Sequence, residues 1–276
     1  MAREDVLITA DELARRLAAG EPITLLDVRW ELARPDGRAA YESGHLPGAV
    51  YVSLDDDLSD HSVPGRGRHP LPSGADLQPA ARRWGVRTGV PVVVYDDWNR
   101  AGSARAWWVL TAAGIPDVRI LDGGLSAWTG ELQTGTVQPE PGDVTVVHDD
   151  LYDAARKTVT AEQAAAAAVL VDARAPERYR GETEPVDPVA GHIPGAVNAP
   201  STGLLGPDGS YLAEADLTRL FAERGVGGPD VAVYCGSGVT AAVVIAALAA
   251  VGVDAALFPG SWSEWSSDPT RPVARA

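Results

Sequence analysis

The feature that most constrains this chain of 276 residues is an internal repeat. The segment GHLPGAV begins at Gly44, and its near copy GHIPGAV begins at Gly191, which is 147 positions later. LLDVR, beginning at Leu25, and LVDAR, beginning at Leu170, precede them in the same order. Solenoid repeats have periods of about 20 to 50 residues, so a period this long is that of a domain. The sequence therefore predicts a duplicated domain.

Three further pairs of segments keep the order of the two copies. They are ITADELARRL with VTAEQAAAAA, VVVYDD with VAVYCG, and LDGGLSAW with FPGSWSEW. Between the copies runs TGTVQPEPGD, whose proline and glycine content is typical of a connecting segment. We therefore predict an N-terminal domain at residues 1–130, a linker at 131–157 and a C-terminal domain at 158–276.

Short apolar runs alternate with helical patterns in both copies. The apolar runs are LLDV, AVYV, VVVY and VRIL in the first copy, and LVDA, AVNAP, VAVY and AALF in the second. Helical patterns occupy residues 11–19, 77–84, 103–113, 161–168, 214–224 and 239–251. This alternation predicts an α/β fold of two tandem domains, each a mostly parallel sheet flanked by helices on both faces. Such sheets bind ligands at the carboxyl ends of their strands.

The charge balance limits the classes of partner. The chain carries 38 acidic and 23 basic side chains, whereas nucleic acids and anionic membranes bind to basic surfaces. The longest apolar run, at residues 240–252, is shorter than the roughly 20 residues that cross a bilayer, and the N-terminus lacks an apolar signal segment. We expect a cytoplasmic protein that binds neither nucleic acid nor a membrane, and the sequence leaves its oligomeric state open.

The single cysteine, Cys235, stands at a position suited to catalysis. It follows the predicted strand VAVY and precedes a glycine-containing loop and an apolar helix. Glycines allow backbone N–H groups to point inward, and a helix N-terminus adds positive potential. Both effects stabilise a thiolate, which is the nucleophilic form of cysteine. Five residues form the predicted active-site loop: Gly236, Ser237, Gly238, Val239 and Thr240.

Several other kinds of site are excluded by the sequence. One cysteine cannot form an intrachain disulfide or a multi-cysteine metal site, and no metal or organic cofactor is implied. A cysteine phosphatase loop would require arginine at position 241, where this chain has Ala241. A dinucleotide site would require GxGxxG after an early strand, and no such segment exists. The first copy carries Asp96 at the position of Cys235, so thiol chemistry is confined to the second copy.

CGSGVTA, the paired GHLPGAV and GHIPGAV, and ERYRG together resemble the two-domain rhodanese-like sulfurtransferases, and the resemblance covers essentially the whole chain. It implies that Cys235 takes a sulfane sulfur from a small anionic donor, either 3-mercaptopyruvate or thiosulfate, and becomes a persulfide. The sulfur then passes to a thiophilic acceptor such as cyanide, a small thiol or a thioredoxin-like dithiol. Two alternatives stay open, which are a thiosulfate-specific rhodanese and a persulfide carrier or binding module without rapid turnover.

The resemblance also implies roles for individual residues. CGSGVT resembles the mercaptopyruvate branch of the family, in which the loop serine, here Ser237, takes part in proton transfer. Arg178 in ERYRG corresponds to the substrate-binding arginine, and a guanidinium binds a carboxylate or a sulfur oxyanion in a bidentate manner. The second arginine of that branch corresponds to Val186 here, so the choice between the two donors stays open.

Three further positions allow two interpretations. His45 and His192 are equivalent in the two copies, which favours a structural role in the HxPG turn. The resemblance also implies that a first-domain histidine assists the loop serine, which would be His45 with Asp36 as its carboxylate. Trp30 follows the first predicted strand and either faces the cleft or packs in the core. The remaining histidines lie in polar loops, where we expect solvated side chains: His61, His69 and His148.

Overall fold

The computed structural model describes residues 2–276 and contains two parallel sheets. The strands of the first sheet are β1 Leu7–Ile8, β2 Thr24–Asp27, β3 Val50–Tyr51, β4 Val92–Tyr95 and β5 Val118–Leu121. Those of the second are β6 Val169–Asp172, β7 Val197–Asn198, β8 Val231–Tyr234 and β9 Ala256–Leu257. The order is β1-β5-β4-β2-β3 in one sheet and β7-β6-β8-β9 in the other, so four strands of each copy correspond. The predicted α/β fold of two tandem domains is confirmed.

Helices connect the strands in both halves. Their bounds are α1 Arg3–Val6, α2 Ala10–Ala18, α3 Arg38–Ser43, α4 Leu54–Asp57, α5 Gly74–Arg83, α6 Ala101–Ala112, α7 Ala161–Ala166, α8 Pro176–Arg180, α9 Glu214–Glu223, α10 Ala241–Ala250 and α11 Ser261–Trp265. Each of the six helical patterns in the sequence corresponds to one of these helices. Within residues 2–276, no helix has the length and apolar character needed to cross a membrane.

Two buried helices join the halves of the molecule. α6 follows β4, α10 follows β8, and the two helices pack against each other. All ten residues of α10 are buried, and its apolar side chains extend all around the helix, as is typical of a helix in a core. One apolar cluster contains residues of both helices. Because the loops after β4 and β8 lead into these packed helices, the two loops face each other across the junction.

A buried ion pair recurs at the same place in each copy. The Arg29 guanidinium donates to Asp27 in the first copy, and Arg174 donates to Asp172 in the second at 2.7 Å. Each arginine also donates to the backbone carbonyl just before the histidine of its HxPG turn. Arg29 donates to the Gly44 carbonyl, and Arg174 donates to the Gly191 carbonyl at 2.7 Å. Burial raises the pKa of Asp27 to about 6 although Arg29 opposes the shift. The pairs therefore hold these turns to the ends of β2 and β6.

The segment predicted as a linker packs against the N-terminal half. The backbone of Gln133 pairs with that of His45 through two hydrogen bonds of 2.9 Å. Val144 and Leu151 are buried in the apolar cluster that includes α6. This segment therefore contributes to the core as well as connecting the two sheets.

Candidate active site

Cys235 lies directly after β8, at the carboxyl end of the sheet, and is 1% exposed. Its backbone N–H donates to the Ser261 hydroxyl at 3.1 Å, and its carbonyl accepts from the Trp262 N–H at 3.0 Å. The Gly238 N–H points back to the cysteine Sγ at 3.1 Å. The sulfur therefore has a backbone donor of the kind that the loop sequence predicts for a thiolate.

The shape of this loop depends on Gly238. Its φ angle is +80°, and a Cβ added there would lie 2.4 Å from the carbonyl oxygen of Pro259. Only glycine accommodates both the left-handed conformation and this close approach. The residues on either side of it, Ser237 and Val239, line a cavity together with Cys235. Gly238 thus turns the chain so that the sulfur and the serine hydroxyl share one space.

The corresponding loop of the first copy is occupied by its own carboxylate. The Asp96 oxygens accept from the N–H groups of Trp98, Arg100 and Ser103 at 3.1, 3.2 and 3.0 Å. The Ser103 hydroxyl adds a bond of 2.7 Å, and the buried Arg100 guanidinium lies 3.0 Å from the carboxylate. A loop of this topology therefore binds an anion, and in the first copy its own side chain takes that place.

The cavity at Cys235 has a volume of about 290 Å³ and lies between the two halves of the chain. The N-terminal half contributes side chains that include Trp30, Arg68 and Trp98. The C-terminal half contributes Arg178 and much of the cysteine loop, namely Cys235, Gly236, Ser237, Val239 and Thr240. Trp30 lines this cavity and also packs in an apolar cluster with Leu54, Ala101 and Val239, so both positions considered for it are found together. Neither half forms the cavity alone.

Arg178, the predicted anion-binding residue, is on α8 and lines this cavity. Its guanidinium donates to Glu184 at 2.6 and 3.2 Å and to Asp187 at 3.4 Å. Burial raises the pKa of Glu184 and the hydrogen bond from Arg178 lowers it, with a net downward shift. The Arg178 Nη1 atom lies 3.5 Å from the position that a Cβ on Gly236 would occupy. One edge of the guanidinium is thus held by carboxylates while the other faces the cysteine loop.

A second arginine, Arg68, reaches the same place from the N-terminal half. Its Nη2 atom lies 3.1 Å from the Cβ position of Gly236, and its Nη1 atom pairs with Asp187. Val186, the position at which the resemblance placed a second arginine, is 41% exposed and does not line the cavity. Sequence reasoning missed Arg68 because the residue is 119 positions from Asp187 and belongs to the other copy.

The histidine at the loop serine is His69. Its Nδ1 atom lies 2.7 Å from the Ser237 Oγ atom, and its Nε2 atom lies 3.4 Å from the Asp55 carboxylate. Trp30 donates its indole N–H to the same Asp55 oxygen at 3.0 Å. The expectation that His69 is solvated is wrong, because the residue is 6% exposed. Ser237, His69 and Asp55 thus form a row of polar groups that leads from the cavity to the surface.

Burial and nearby charges determine the protonation state of the His69 imidazole. Burial, followed by the charges of Arg105 and Arg68, lowers the pKa of His69 to about 3. The imidazole is therefore neutral at physiological pH. In the tautomer that carries its proton on Nε2, the Nδ1 atom accepts the Ser237 O–H. A pKa this low makes the ring a weak base, so the histidine serves as the neutral hydrogen-bond acceptor that orients the serine hydroxyl.

The structure does not bring His45 or Asp36 to the loop serine. The His45 Nδ1 atom lies 2.9 Å from the Tyr41 carbonyl, and its ring stacks on that of Tyr41. His192 repeats both contacts with Tyr179, at 2.8 Å from the carbonyl. Asp36 accepts instead from the Tyr51 hydroxyl and from a neighbouring backbone N–H. The geometry thus supports the structural interpretation of His45, since the HxPG turn uses the same bonds in both copies.

Arg105, a fully buried residue of α6, ties the loops of the two halves together. It donates to the carbonyls of Leu58 and His69 at 3.0 Å and to that of Gly238 at 3.3 Å. Burial lowers the pKa of Arg105 to about 10, while nearby Tyr152 and Cys235 act in the opposite direction. The guanidinium thus remains charged, and it fixes the His69 segment relative to the cysteine loop.

Comparisons with known proteins agree with this geometry. A family model described as the rhodanese-like domain matches residues 9–131 and 155–268. A Mycobacterium tuberculosis protein named "Putative thiosulfate sulfurtransferase SseB" is 66% identical, over 99% of this chain and 98% of its own length. The human protein named 3-mercaptopyruvate sulfurtransferase is 36% identical, over 92% of this chain and 88% of its own length.

A solved structure shows the same architecture. The crystal structure of SseA from Escherichia coli, described as that of a 3-mercaptopyruvate sulfotransferase, superposes with a TM-score of 0.79 at 33% identity. The match covers 93% of this chain and 98% of that one. Two matches to one domain model, with relatives similar over nearly their whole length, confirm the resemblance seen in the sequence. The chain belongs to the rhodanese-like family and is a sulfurtransferase.

Proposed function

We propose that the chain transfers a sulfane sulfur from 3-mercaptopyruvate, through a persulfide on Cys235, to a thiophilic acceptor such as cyanide, a small thiol or a thioredoxin-like dithiol. The observation that carries this choice of donor is the 2.7 Å contact between the Ser237 hydroxyl and the neutral His69. Both the serine and the cysteine line the same cavity. A proton relay beside a nucleophile is useful only if the donor exchanges a proton during the reaction.

The two donors differ in this respect. When thiosulfate gives up its outer sulfur, the S–S bond breaks, sulfite leaves with the bonding electrons, and no proton moves. 3-Mercaptopyruvate holds its sulfur as a thiol on C3, so breaking the S–C3 bond leaves a pyruvate enolate that must be protonated. The contact of Ser237 with His69, and of His69 with Asp55, therefore supports 3-mercaptopyruvate.

The first half-reaction follows from these positions. The Cys235 thiolate, with the Gly238 N–H on its sulfur, attacks the donor sulfur, and a new S–S bond forms as the S–C3 bond breaks. The thiol proton of the donor passes to C3 of the enolate through the Ser237 hydroxyl, which His69 orients through their 2.7 Å contact. The products are pyruvate and the Cys235 persulfide anion, so atoms and charge balance.

The second half-reaction restores the cysteine. The acceptor attacks the outer sulfur of the persulfide, the S–S bond breaks, and its electrons return to the Cys235 thiolate. Because donor and acceptor react in turn with one sulfur atom, ping-pong kinetics are expected. Cys235 has to remain a free thiol between cycles, which supports placing the protein in the reducing cytoplasm.

The test compares both donors in wild-type and variant enzyme with cyanide as acceptor. Cys235→Ser should abolish transfer from both donors. Ser237→Ala should lower kcat with 3-mercaptopyruvate by about 100-fold, the usual effect of general acid–base catalysis, and leave transfer from thiosulfate nearly unchanged. Equal losses with the two donors would refute the proton relay. Turnover of thiosulfate alone would identify a thiosulfate-specific rhodanese, and a persulfide without turnover would identify a carrier.

A further inference from the structure

Two cationic side chains meet at one point of the cysteine loop. The Arg68 Nη2 atom and the Arg178 Nη1 atom lie 3.1 and 3.5 Å from the Cβ position of Gly236. Because Gly236 has no side chain, both guanidinium groups can approach the loop closely, and a Cβ there would be crowded by Arg68. Arg68 comes from the N-terminal half and Arg178 from the C-terminal half, so the pair spans the junction between them.

Contacts with the C-terminal half hold the Arg68 backbone in place. Its N–H donates to the Ser263 hydroxyl at 3.1 Å. The preceding residue, Gly67, has a φ of +82°, and a Cβ added there would lie 2.5 Å from the Gly260 carbonyl oxygen. The segment therefore packs directly on the turn at the start of α11. This close packing fixes the position of the Arg68 backbone relative to the C-terminal half.

The Asp187 carboxylate pairs with both guanidinium groups but uses only some of their N–H groups. Its side chain is 4% exposed, and its two oxygens pair with Arg68 and Arg178. Among residues 2–276, no hydrogen bond uses the Arg68 Nη2 atom or the Arg178 Nη1 atom, the two donors nearest to Gly236. With Glu184 also on Arg178, the two positive charges are matched by two negative ones. The cluster is thus preorganised while some N–H groups remain available to a ligand.

We infer that Arg68 binds the carboxylate of the donor together with Arg178 and thereby determines donor specificity. The inference rests on the proposed function. Both arginines line the cavity, so a carboxylate bound there can contact both guanidinium groups, which bind carboxylates with charge-assisted hydrogen bonds. The donor sulfur then lies toward Cys235 in the same cavity. The second cation of the site therefore comes from the first domain.

The experiment compares 3-mercaptopyruvate with mercaptoacetone, in which a methyl group replaces the carboxylate. Arg68→Ala should lower kcat/KM for 3-mercaptopyruvate by about 10- to 100-fold, mainly through KM, because one charged hydrogen-bonding partner is lost. The same change should leave kcat/KM for mercaptoacetone within about twofold. Arg68→Lys should restore part of the loss. Equal losses with both donors would mean that Arg68 acts only on the structure, which would overturn the inference.

A matched control and a binding assay complete the test. Arg66→Ala removes a guanidinium from the same segment, where it stacks on Tyr152 at 4.5 Å, and should change neither donor's kinetics. Calorimetric binding of pyruvate to Cys235→Ser protein requires no sulfur transfer, so it separates failure of the inference from failure of the proposed function. Adding Arg68→Ala should weaken pyruvate binding at least about 10-fold. Unchanged affinity would refute the role of Arg68 whatever the activity.

Discussion

The neutral state of His69 can be tested by acid titration. Burial, together with the charges of Arg105 and Arg68, lowers its pKa from 6.5 to about 3. In the unfolded chain the imidazole gains its proton near pH 6.5, whereas in the folded protein it stays neutral until about pH 3. Between these values the unfolded state binds more protons. The contribution of His69 to stability is therefore complete above pH 6.5 and is lost as the pH falls.

The magnitude follows from linkage. From about pH 7.5 to about pH 4.5, a histidine with these two pKa values should cost the folded protein about 3 kcal/mol. His69→Asn removes the titrating ring and keeps a polar group. The free energy of unfolding of wild type, measured relative to this variant, should therefore fall by about 3 kcal/mol over this range. Other carboxylates and histidines affect both proteins alike and cancel in the difference.

Two measurements check this prediction. Urea unfolding, followed by tryptophan fluorescence and circular dichroism to establish a single transition, gives the stability difference at each pH. NMR titration of the ring signals separates His69 from the other four histidines. A His69 ring that gains its proton near pH 6.5 in the folded protein would refute the reasoning. Burial and the neighbouring guanidinium groups would then not have lowered the pKa of the imidazole.

Three further predictions concern the scaffold of the site. Gly238→Ala should place a methyl group against the Pro259 carbonyl, so both the melting temperature and sulfur transfer should fall, whereas retained activity would contradict the assigned loop geometry. Asp172→Ala leaves the buried Arg174 without its closest carboxylate, so urea unfolding should show a free energy of unfolding lower by about 3 to 5 kcal/mol. A loss below about 1 kcal/mol would contradict a stabilising role of this ion pair. Arg105→Met removes a buried cation that donates to four backbone carbonyls and should lower kcat more than it raises KM, as steady-state kinetics would show.

The duplicated loop explains why only one copy is reactive. Asp96 fills its own loop with a carboxylate that takes the backbone and hydroxyl donors nearby. Cys235 receives one backbone N–H on its sulfur and opens to the cavity. The first copy keeps the sheet, the HxPG turn and the buried ion pair, and it contributes Arg68 and His69 to the site of the second. The first copy thus lacks the nucleophile but contributes side chains to the cavity in which Cys235 of the second copy lies.

The sequence by itself determined the features that depend on neighbouring residues. Apolar runs and helical periodicity predicted strands β2 to β9 and six of the helices, since these patterns are local. Strand β1 and the short helices α1, α3, α4, α8 and α11 were not predicted. The repeat predicted a duplicated domain, and the two sheets have corresponding strand orders. The strand, glycine loop and helix around Cys235 likewise predicted where the nucleophile lies and the backbone donor that its sulfur receives.

Only the tertiary structure decided which residues complete the site. His69 is 168 positions from Ser237, and Arg68 is 119 positions from Asp187, so no local pattern links either pair. These contacts exist because α6 and α10 pack together and bring the loops of the two halves face to face. A resemblance directed attention to His45, whose role lies in its own turn. Side chains from opposite halves become partners through the packing of the interface, which the residues beside them in the chain do not encode.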